Sequence, residues 1–320
     1  MRATLVFLAF LVACSSDSGS GPPINTPASF YVANKGSSTI SAFTTADTGN
    51  ARPALTISGT NTTLDQPEGI VLDPAGVVIT TSANPSRIVV FAAHAVGDVA
   101  PVASIVGSNT RLSQPKGLAL DHLGRLYVAN TASDSILIFQ NGATGNAPPI
   151  GAIGGSNSGL QAPQDIAIDI RGRLYVPSAF NNTILVFGAG ASGNVRPTDT
   201  IFGGNTGLDA PMGVALDPGG RIYVANYGTG SASPSVTVYD AGATGNATPI
   251  VTIKGASTLL DQPIGIALDA AGRIYVANSG TTSAQYRITV YAANANGDVA
   301  PVATLSGANT GLSVPSHLAF

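Results

Sequence analysis

One pattern recurs along the chain with a period of about 50 residues. Each copy opens at a proline and continues into a short apolar run, and successive opening prolines are 48, 48, 48, 52 and 52 residues apart. A period of this size limits the chain to repeat architectures such as solenoids and propellers. The opening residues are Pro67, Pro115, Pro163, Pro211, Pro263 and Pro315.

Each copy contains four short segments with the composition of β-strands. In the copy at Pro115 they cover residues 115–121, 124–130, 135–139 and 150–153, and Asp121 and Gly124 hold the first and fourth positions of a tight turn. Four-stranded units repeated around a ring form a β-propeller, whose closure removes exposed sheet edges. The sequence therefore predicts an all-β propeller of four-stranded blades.

The two ends of the array predict how the ring closes. Residues 30–34, 39–43 and 54–57 match the second, third and fourth strands of a copy, whereas residues 314–320 match a first strand alone. Together these segments make one complete blade. We therefore expect a six-bladed propeller over residues 28–320, with the C-terminal strand completing blade 1.

Composition agrees with this fold and excludes one class of partner. Apolar residues make up 44% of the chain and charged residues 10%, which is enough apolar material for a large core. The 38 glycines and 21 prolines suit many short strands and tight turns. With a net charge of −3 and no basic stripe, the chain is not expected to bind nucleic acid.

The first residues have the pattern of an export signal. Residues 1–13 combine the basic start Met1-Arg2 with an apolar run, too short to span a bilayer, that ends before Cys14. Residues 11–14 resemble the bacterial lipobox, which implies a lipidated Cys14 followed by a flexible tether to residue 27. We expect an exported protein held in the bacterial cell envelope by its lipid anchor only, in the outer membrane if the host is Gram-negative.

The best-preserved copy, residues 263–278, reads Pro-Ile-Gly-Ile-Ala-Leu-Asp-Ala-Ala-Gly-Arg-Ile-Tyr-Val-Ala-Asn. It resembles the NHL repeat and the related SMP-30 and gluconolactonase propellers. Residues 30–43 are also similar to a YVTN-type surface repeat, which has seven-bladed relatives. The NHL-like resemblance covers nearly all of residues 28–320 and implies the fold. It leaves function open, because these families include lactonases, phosphotriesterases, lyases and pure binding modules.

A ring of six side chains is expected around the channel mouth. We call the top of the propeller the end that holds the loops between second and third strands and the links between blades. In the resembling families the first strand is innermost, so the residue after each opening proline should surround the channel at the top. These ring residues are Glu68, Lys116, Gln164, Met212, Ile264 and Ser316.

The next position is glycine in four copies, but it is Asp165 in blade 4 and His317 in blade 1. These blades are opposite each other in a ring of six, so the two side chains could face each other across the channel. A histidine oriented by a carboxylate can act as a base or bind a metal, and this makes His317 and Asp165 the candidate catalytic residues. The alternative is structural: His317 lies near the chain end and Asp165 caps a turn.

A metal site is the second possibility at the ring. Glu68, Gln164 and Asp165, with Ser316, are the candidate ligands for calcium, whereas zinc would require two or three histidines. In SMP-30 relatives the residue after the proline carries metal-binding side chains in several blades. Of the equivalent positions here, Glu68 matches cleanly, whereas Lys116 does not. His94 and His122 are expected at the bottom of the propeller, away from His317. The preferred expectation is therefore no cofactor.

The two longest repeats predict a ligand pocket. Blades 5 and 6 carry four extra residues in their second-to-third-strand loops, within residues 227–235 and 279–287. These loops bring Tyr227 and Tyr286 to the top, beside the apolar ring residues, with Phe180 nearby. A partly apolar concave surface with a polar rim is typical of ligand pockets. The candidate ligand-binding residues are Glu68, Lys116, Gln164, Met212, Ile264, Tyr227 and Tyr286.

Several residues repeat so regularly that we assign them to architecture. The asparagine or serine that ends each second strand, as at Asn130, is expected to form a turn. The tyrosine at the Tyr127 position is expected to pack between blades. The aspartate of each bottom turn is expected to pair with an arginine four residues later, as Asp121 with Arg125.

Two functions remain open. In the preferred one, the propeller is a non-catalytic binding or scaffolding module whose top face holds a peptide, a glycan or another envelope protein. In the alternative, it is a metal-dependent SMP-30-like hydrolase, a lactonase or esterase, or a lyase, with Glu68, Gln164, Asp165 and His317 as a reduced site.

Overall fold

The computed structural model describes residues 29–229 and 233–320, which form six four-stranded antiparallel sheets. The inner strands of successive sheets contact one another around a ring, and the prediction of an all-β, six-bladed propeller is confirmed. The proposed signal peptide, Cys14 and the whole tether lie outside the described residues. From the channel outwards, blade 1 contains β24 (Pro315–Ala319), β1 (Ser29–Asn34), β2 (Thr39–Thr44) and β3 (Leu55–Ile57). Blade 2 contains β4 (Ile70–Leu72), β5 (Val78–Ser82), β6 (Arg87–Phe91) and β7 (Ala103–Ile105). Blade 3 contains β8 (Pro115–Leu120), β9 (Leu126–Asn130), β10 (Ser135–Phe139) and β11 (Gly151–Gly154).

Blades 4 to 6 follow the same order. Blade 4 contains β12 (Ala167–Ile168), β13 (Leu174–Ser178), β14 (Thr183–Phe187) and β15 (Asp199–Ile201). Blade 5 contains β16 (Pro211–Leu216), β17 (Ile222–Asn226), β18 (Ser235–Tyr239) and β19 (Val251–Ile253). Blade 6 contains β20 (Pro263–Leu268), β21 (Ile274–Asn278), β22 (Arg287–Tyr291) and β23 (Ala303–Ser306). Short 3-10 helices occupy Thr60–Thr62, Ser108–Thr110, Thr131–Ser133, Ala179–Asn181, Ala256–Thr258, Ser283–Gln285 and Ala308–Thr310. None of the helices in the described ranges has the length and apolar character that a membrane crossing needs.

Closure of the ring follows the prediction from the two chain ends. Strand β24 lies antiparallel to β1, with Leu318 opposite Val32 and Ala319 opposite Tyr31. All five residues of β24 are buried. The inner edge of β1 would otherwise expose unpaired backbone groups, so that this pairing completes both the sheet and the ring.

The core is divided into six apolar clusters, and each cluster lies between two adjacent blades. Tyr127 of blade 3, for example, belongs to the same cluster as Leu174 and Phe187 of blade 4. The other tyrosines of this repeat position are buried in the corresponding interfaces, which confirms packing between blades. Each blade is therefore stabilised mainly by its neighbours, as in other repeat proteins.

Polar side chains also connect each blade to the next. Asn146, in the connection between β10 and β11, accepts a hydrogen bond from the backbone N–H of Asn109 in the link that follows blade 2 (2.8 Å). An asparagine or aspartate makes the same bond at all six interfaces. The glycine that precedes it pairs with the outer strand of the preceding blade, for example Gly145 with Ile105.

The asparagines that end the second strands have a role in addition to the predicted one. The buried Oδ1 of Asn130 accepts from the N–H of Ser113 at 2.6 Å, and Asn278 accepts from Asp261 at 3.0 Å. These bonds attach the link that enters a blade to the end of that blade's second strand, 17 residues later in sequence. They therefore position the top of the first strand, while Asn130 also takes part in the predicted local turn through hydrogen bonds with Ser133. The predicted aspartate–arginine pairs do form, as in Arg125 Nε to Asp121 Oδ2 at 2.7 Å.

Candidate functional site

The ring residues surround the channel mouth at the start of each first strand. Glu68, Gln164 and Ser316 are buried, whereas Lys116, Met212 and Ile264 are half-buried. Ser316 is held within the wall, because its hydroxyl donates to the backbone carbonyl of Glu68 at 2.8 Å. The mouth is therefore polar on the side of blades 1 to 4 and apolar at blades 5 and 6.

A chain of charged and amide side chains crosses the polar side. Lys35 Nζ donates to Glu68 Oε1 at 2.7 Å, and Lys116 Nζ lies 3.7 Å from Glu68 Oε2. Lys116 Nζ also donates to Gln164 Oε1 at 2.8 Å. Burial by itself would raise the pKa of Glu68, but the nearby ammonium groups of Lys116 and Lys35 bring that pKa below its usual value. Glu68 is thus an anion shared by two cations.

Lys35 is the member of this chain that sequence reasoning missed. It lies in the four-residue loop between β1 and β2, and blade closure brings it to Glu68 of the neighbouring blade. The sequence feature that could have identified Lys35 is its position directly after Asn34, which places it on the same top face as the ring residues.

Asp165 and His317 meet inside the channel. His317 Nε2 is 3.7 Å from Asp165 Oδ1, and only 5% of His317 and 7% of Asp165 remain exposed. His317 Nδ1 lies 3.1 Å from the carbonyl oxygen of Glu68, whereas its Nε2 has no hydrogen-bond partner within the described residues. Burial raises the pKa of Asp165, and His317 opposes that rise. The two exceptions to the glycine pattern therefore form one buried pair.

Asp165 also binds two backbone N–H groups. Its Oδ1 accepts from the N–H of Ile166 at 2.9 Å and its Oδ2 from the N–H of Val214 in blade 5 at 3.0 Å. The first strand of blade 4 is short, with two residues in β12, as is that of blade 2, with three residues in β4, whereas blades 3, 5 and 6 have six. The carboxylate thus joins blades 4 and 5 in addition to facing blade 1.

The buried pair predicts strong energetic coupling between positions 165 and 317. Either single change to glycine, the residue of the other four blades, should lower the free energy of unfolding by about 2 kcal/mol or more. His317→Gly removes the imidazole that faces the buried Asp165 carboxyl group, and Asp165→Gly removes the acceptor for two backbone N–H groups. The double variant should lose clearly less than the sum, with a coupling of about 1 kcal/mol or more, measured by urea unfolding. Additivity within about 0.5 kcal/mol would contradict the pairing.

The donor set at the mouth does not fit a divalent cation. Glu68 is already neutralised by two lysines, Gln164 Oε1 accepts from Lys116, and Asp165 accepts from two backbone N–H groups. Calcium requires six or more oxygen ligands, usually with several free carboxylates. Across residues 29–229 and 233–320, no group of three or more His, Cys, Asp or Glu side chains is placed to hold a metal.

A groove of about 550 Å³ opens on the top face over blades 3 to 5. Its walls include Met212, Tyr227 and Phe180, a residue that is 81% exposed, and its inner end is formed by Lys116 and Gln164. Small and polar residues complete the rim. They are Gln114, Thr131, Ala162, Ala179, Asn182, Ala210 and Thr229.

The groove includes part of the predicted ligand-binding set. It brings together Lys116, Gln164, Met212 and Tyr227, while Glu68, Ile264 and Tyr286 are not among its lining residues. The predicted difference in loop length is present, because four residues separate the second and third strands of blades 1 to 4 and eight separate those of blades 5 and 6. The groove nevertheless lies beside blade 4, whose short loop carries Phe180.

Comparison with known proteins identifies the architecture. No family model matches the chain, and no curated protein matches its sequence. Among solved structures, the chain is similar to a protein of unknown function from Bacteroides caccae, with 11% identity and a TM-score of 0.65 over 92% of this chain and 98% of that chain. It is also similar to a chain of the nidogen/laminin complex (14%, 0.60, covering 91% and 97%) and to the WD40 β-propeller domain of Doa1 (12%, 0.56, covering 87% and 81%). At these identities the likeness establishes the β-propeller fold alone.

Proposed function

We propose that this protein is an exported, lipid-anchored binding module of the bacterial cell envelope that holds a peptide segment of a partner protein in the groove over blades 3 to 5. The observation that carries the proposal is the exposure of Phe180, at 81%, beside Met212 and Tyr227 in a concave surface. Large apolar side chains cluster on a surface at a cost in free energy that binding of a partner removes.

The form and composition of the groove suit a peptide. Its volume of about 550 Å³ is within the range of ligand sites, and its rim offers amide and hydroxyl groups from Gln114, Asn182 and Thr229 for hydrogen bonds to a backbone. Aromatic and methionine side chains are enriched in the cores of protein interfaces. The combination supports recognition of a short segment with at least one apolar side chain.

The same residues give little support to catalysis. The groove lining contains no His, Cys, Asp or Glu side chain, and its titratable side chains are Lys116 and Tyr227. The Asp165–His317 pair is buried in the channel and is not part of the lining. Because the mouth also lacks a fitting metal-ligand set, the hydrolase or lyase alternative has no observation in its favour.

The envelope location is supported by the residues that precede the propeller. The export-signal pattern and Cys14 are followed by a short Ser-, Gly- and Pro-rich segment. Ser29 begins the second strand of blade 1 at the bottom of the propeller. A chain anchored at Cys14 therefore joins the face opposite the groove, which leaves the top face accessible to a partner.

The test uses Met212 as a reporter of groove occupancy. The chain has two methionines, Met1 and Met212, so 13C-methyl labelling of methionine places an NMR probe on the groove wall. Peptides selected from a displayed random library against the purified protein should shift the Met212 methyl signal. Phe180→Ala should weaken their binding about tenfold, because the removed ring contributes roughly 1.5 kcal/mol of apolar contact.

Ile170→Ala is the matched control for Phe180→Ala. Ile170 is 95% exposed on a bottom turn, so that its loss changes exposed apolar area away from the groove. Binding should be the same in this variant as in the unmodified protein. The proposal fails if no selected peptide shifts Met212, or if Phe180→Ala binds as the control does. Stoichiometric calcium or zinc whose removal by chelator lowers the melting temperature would instead favour the metal-enzyme function.

A further inference from the structure

The groove contains one charged side chain. Of its twelve lining residues, Lys116 alone carries a charge, and the others are amides, hydroxyl-bearing residues, alanines, Met212 and aromatic residues. The Lys116 side chain is 21% exposed, so its ammonium group is partly withdrawn from water but reachable from the groove. A partly desolvated charge interacts more strongly with a ligand than a fully solvated one.

The positive charge of Lys116 is only partly balanced by its neighbours. Glu68 lies at 3.7 Å from Lys116 Nζ, beyond hydrogen-bond distance, while it bonds Lys35 at 2.7 Å. The short contact of Lys116 Nζ is with the neutral amide oxygen of Gln164, at 2.8 Å. One carboxylate therefore serves two ammonium groups, and an ammonium group has three hydrogen donors. Lys116 has the capacity to bind one more anionic acceptor.

Two aspartates bind backbone groups of the groove rim. Asp134 accepts from the N–H of Ala162 at 2.6 Å, and Asp209 accepts from the N–H and hydroxyl of Thr229 at 2.8 and 2.6 Å. Within the described part of the chain, neither aspartate forms an ion pair with Lys116. They orient the rim and leave the lysine to a ligand.

We infer that the ligand of the groove carries a carboxylate next to an aromatic or large aliphatic side chain, with the carboxylate on Lys116 and the apolar group against Phe180 and Met212. The inference rests on the proposed function and specifies its ligand. The carboxylate could belong to the C-terminal residue of a peptide or to an acidic side chain inside it. Both sources present the same charge-assisted hydrogen bond to an ammonium group.

The experiment compares three small probes in titrations of the 13C-labelled Met212 methyl group. N-acetyl-L-phenylalanine has a terminal carboxylate, N-acetyl-L-phenylalaninamide is its neutral isostere, and N-acetyl-L-aspartyl-L-phenylalaninamide carries a side-chain carboxylate. We expect at least one of the two acids to bind about tenfold more tightly than the neutral amide, because a hydrogen bond to a charged group is worth roughly that factor. The tighter of the two acids identifies the source.

Lys116→Met should remove the preference for the acid and leave binding of the neutral amide within about twofold, because methionine retains the apolar stem. Lys254→Met is the matched control, since Lys254 is exposed and outside the groove. It should keep the preference. Phe180→Ala should weaken acid and amide alike.

The outcomes separate the two proposals. If all three probes shift Met212 with equal affinity, or if Lys116→Met retains the preference for the acid, the inferred ligand chemistry is wrong while a binding groove remains. If no probe and no selected peptide shifts Met212 at all, the proposed function itself is wrong. Thermal melts of Lys116→Met that match those of the unmodified protein establish that the variant is folded.

Discussion

Gly213→Ala is expected to destabilise the propeller by about 3 kcal/mol, with a fall in melting temperature of about 5 °C. Gly213 follows ring residue Met212, at the position that is glycine in four blades. A Cβ atom there would overlap the backbone carbonyl oxygen of Ile264 in blade 6 and come within 3.1 Å of the N–H nitrogen of Ile266. Since the overlapped atom belongs to the backbone of an inner strand, no side-chain rotation relieves the contact, and two blades must separate.

Gly204→Ala is the control for this prediction. Gly204 has no atom within 4 Å of the added Cβ position. Its substitution should be neutral or slightly stabilising, because alanine restricts the unfolded chain more than glycine does. Differential scanning calorimetry of both variants gives the comparison. Equal melting temperatures of the two variants would contradict the prediction, because they would show that the inner strands can move apart at little cost in free energy.

Removal of residues 315–320 is expected to abolish cooperative folding. The deletion takes away β24, all of whose residues are buried, and leaves the inner edge of β1 unpaired. It also removes Leu318 from the interface of blades 6 and 1 and the Phe320 ring, which lies 4.9 Å from that of Tyr275. Together these losses should exceed about 5 kcal/mol, which is comparable with the whole stability of a typical domain.

Moving this strand to the other end of the chain tests whether folding is lost because β1 has no pairing partner. Residues 312–320 are placed ahead of Ser29 through Asp-Ala-Ala-Gly, the turn found at residues 269–272 between β20 and β21. This variant contains the same strand in the same antiparallel place, so that it should regain a cooperative melt and an all-β circular dichroism spectrum. Folding of the deleted chain without the relocated strand would contradict the account of closure.

Ring position was predictable from sequence because the repeat period is regular. Counting from each proline placed Asp165 and His317 in opposite blades, and the structure brings them within 3.7 Å. The same counting placed Glu68 and Lys116 in adjacent blades, and they form an ion pair. Periodicity assigns a residue to a blade and a height, and in a closed ring these two coordinates are enough to identify neighbours.

The groove was harder to predict, since it depends on side-chain conformation. Loop length directed attention to blades 5 and 6, yet the groove lies over blades 3 to 5. The Gln164 side chain folds back towards the segment that precedes it, where its Nε2 donates to the carbonyl oxygen of Ala162 at 2.8 Å. Phe180 extends into solvent from the four-residue loop of blade 4. Neither orientation follows from residue type.

The sequence by itself determined the number of blades, the order of side chains around the channel and the use of the last strand to close the ring. These properties follow from repeat spacing and from the need of every strand edge for a partner. The tertiary structure alone decided which charges neutralise one another, as Lys35 with Glu68, and where an apolar concavity remains open. Contacts of that kind depend on rotamers and on distances of a few ångströms between blades, which a repeat pattern does not encode.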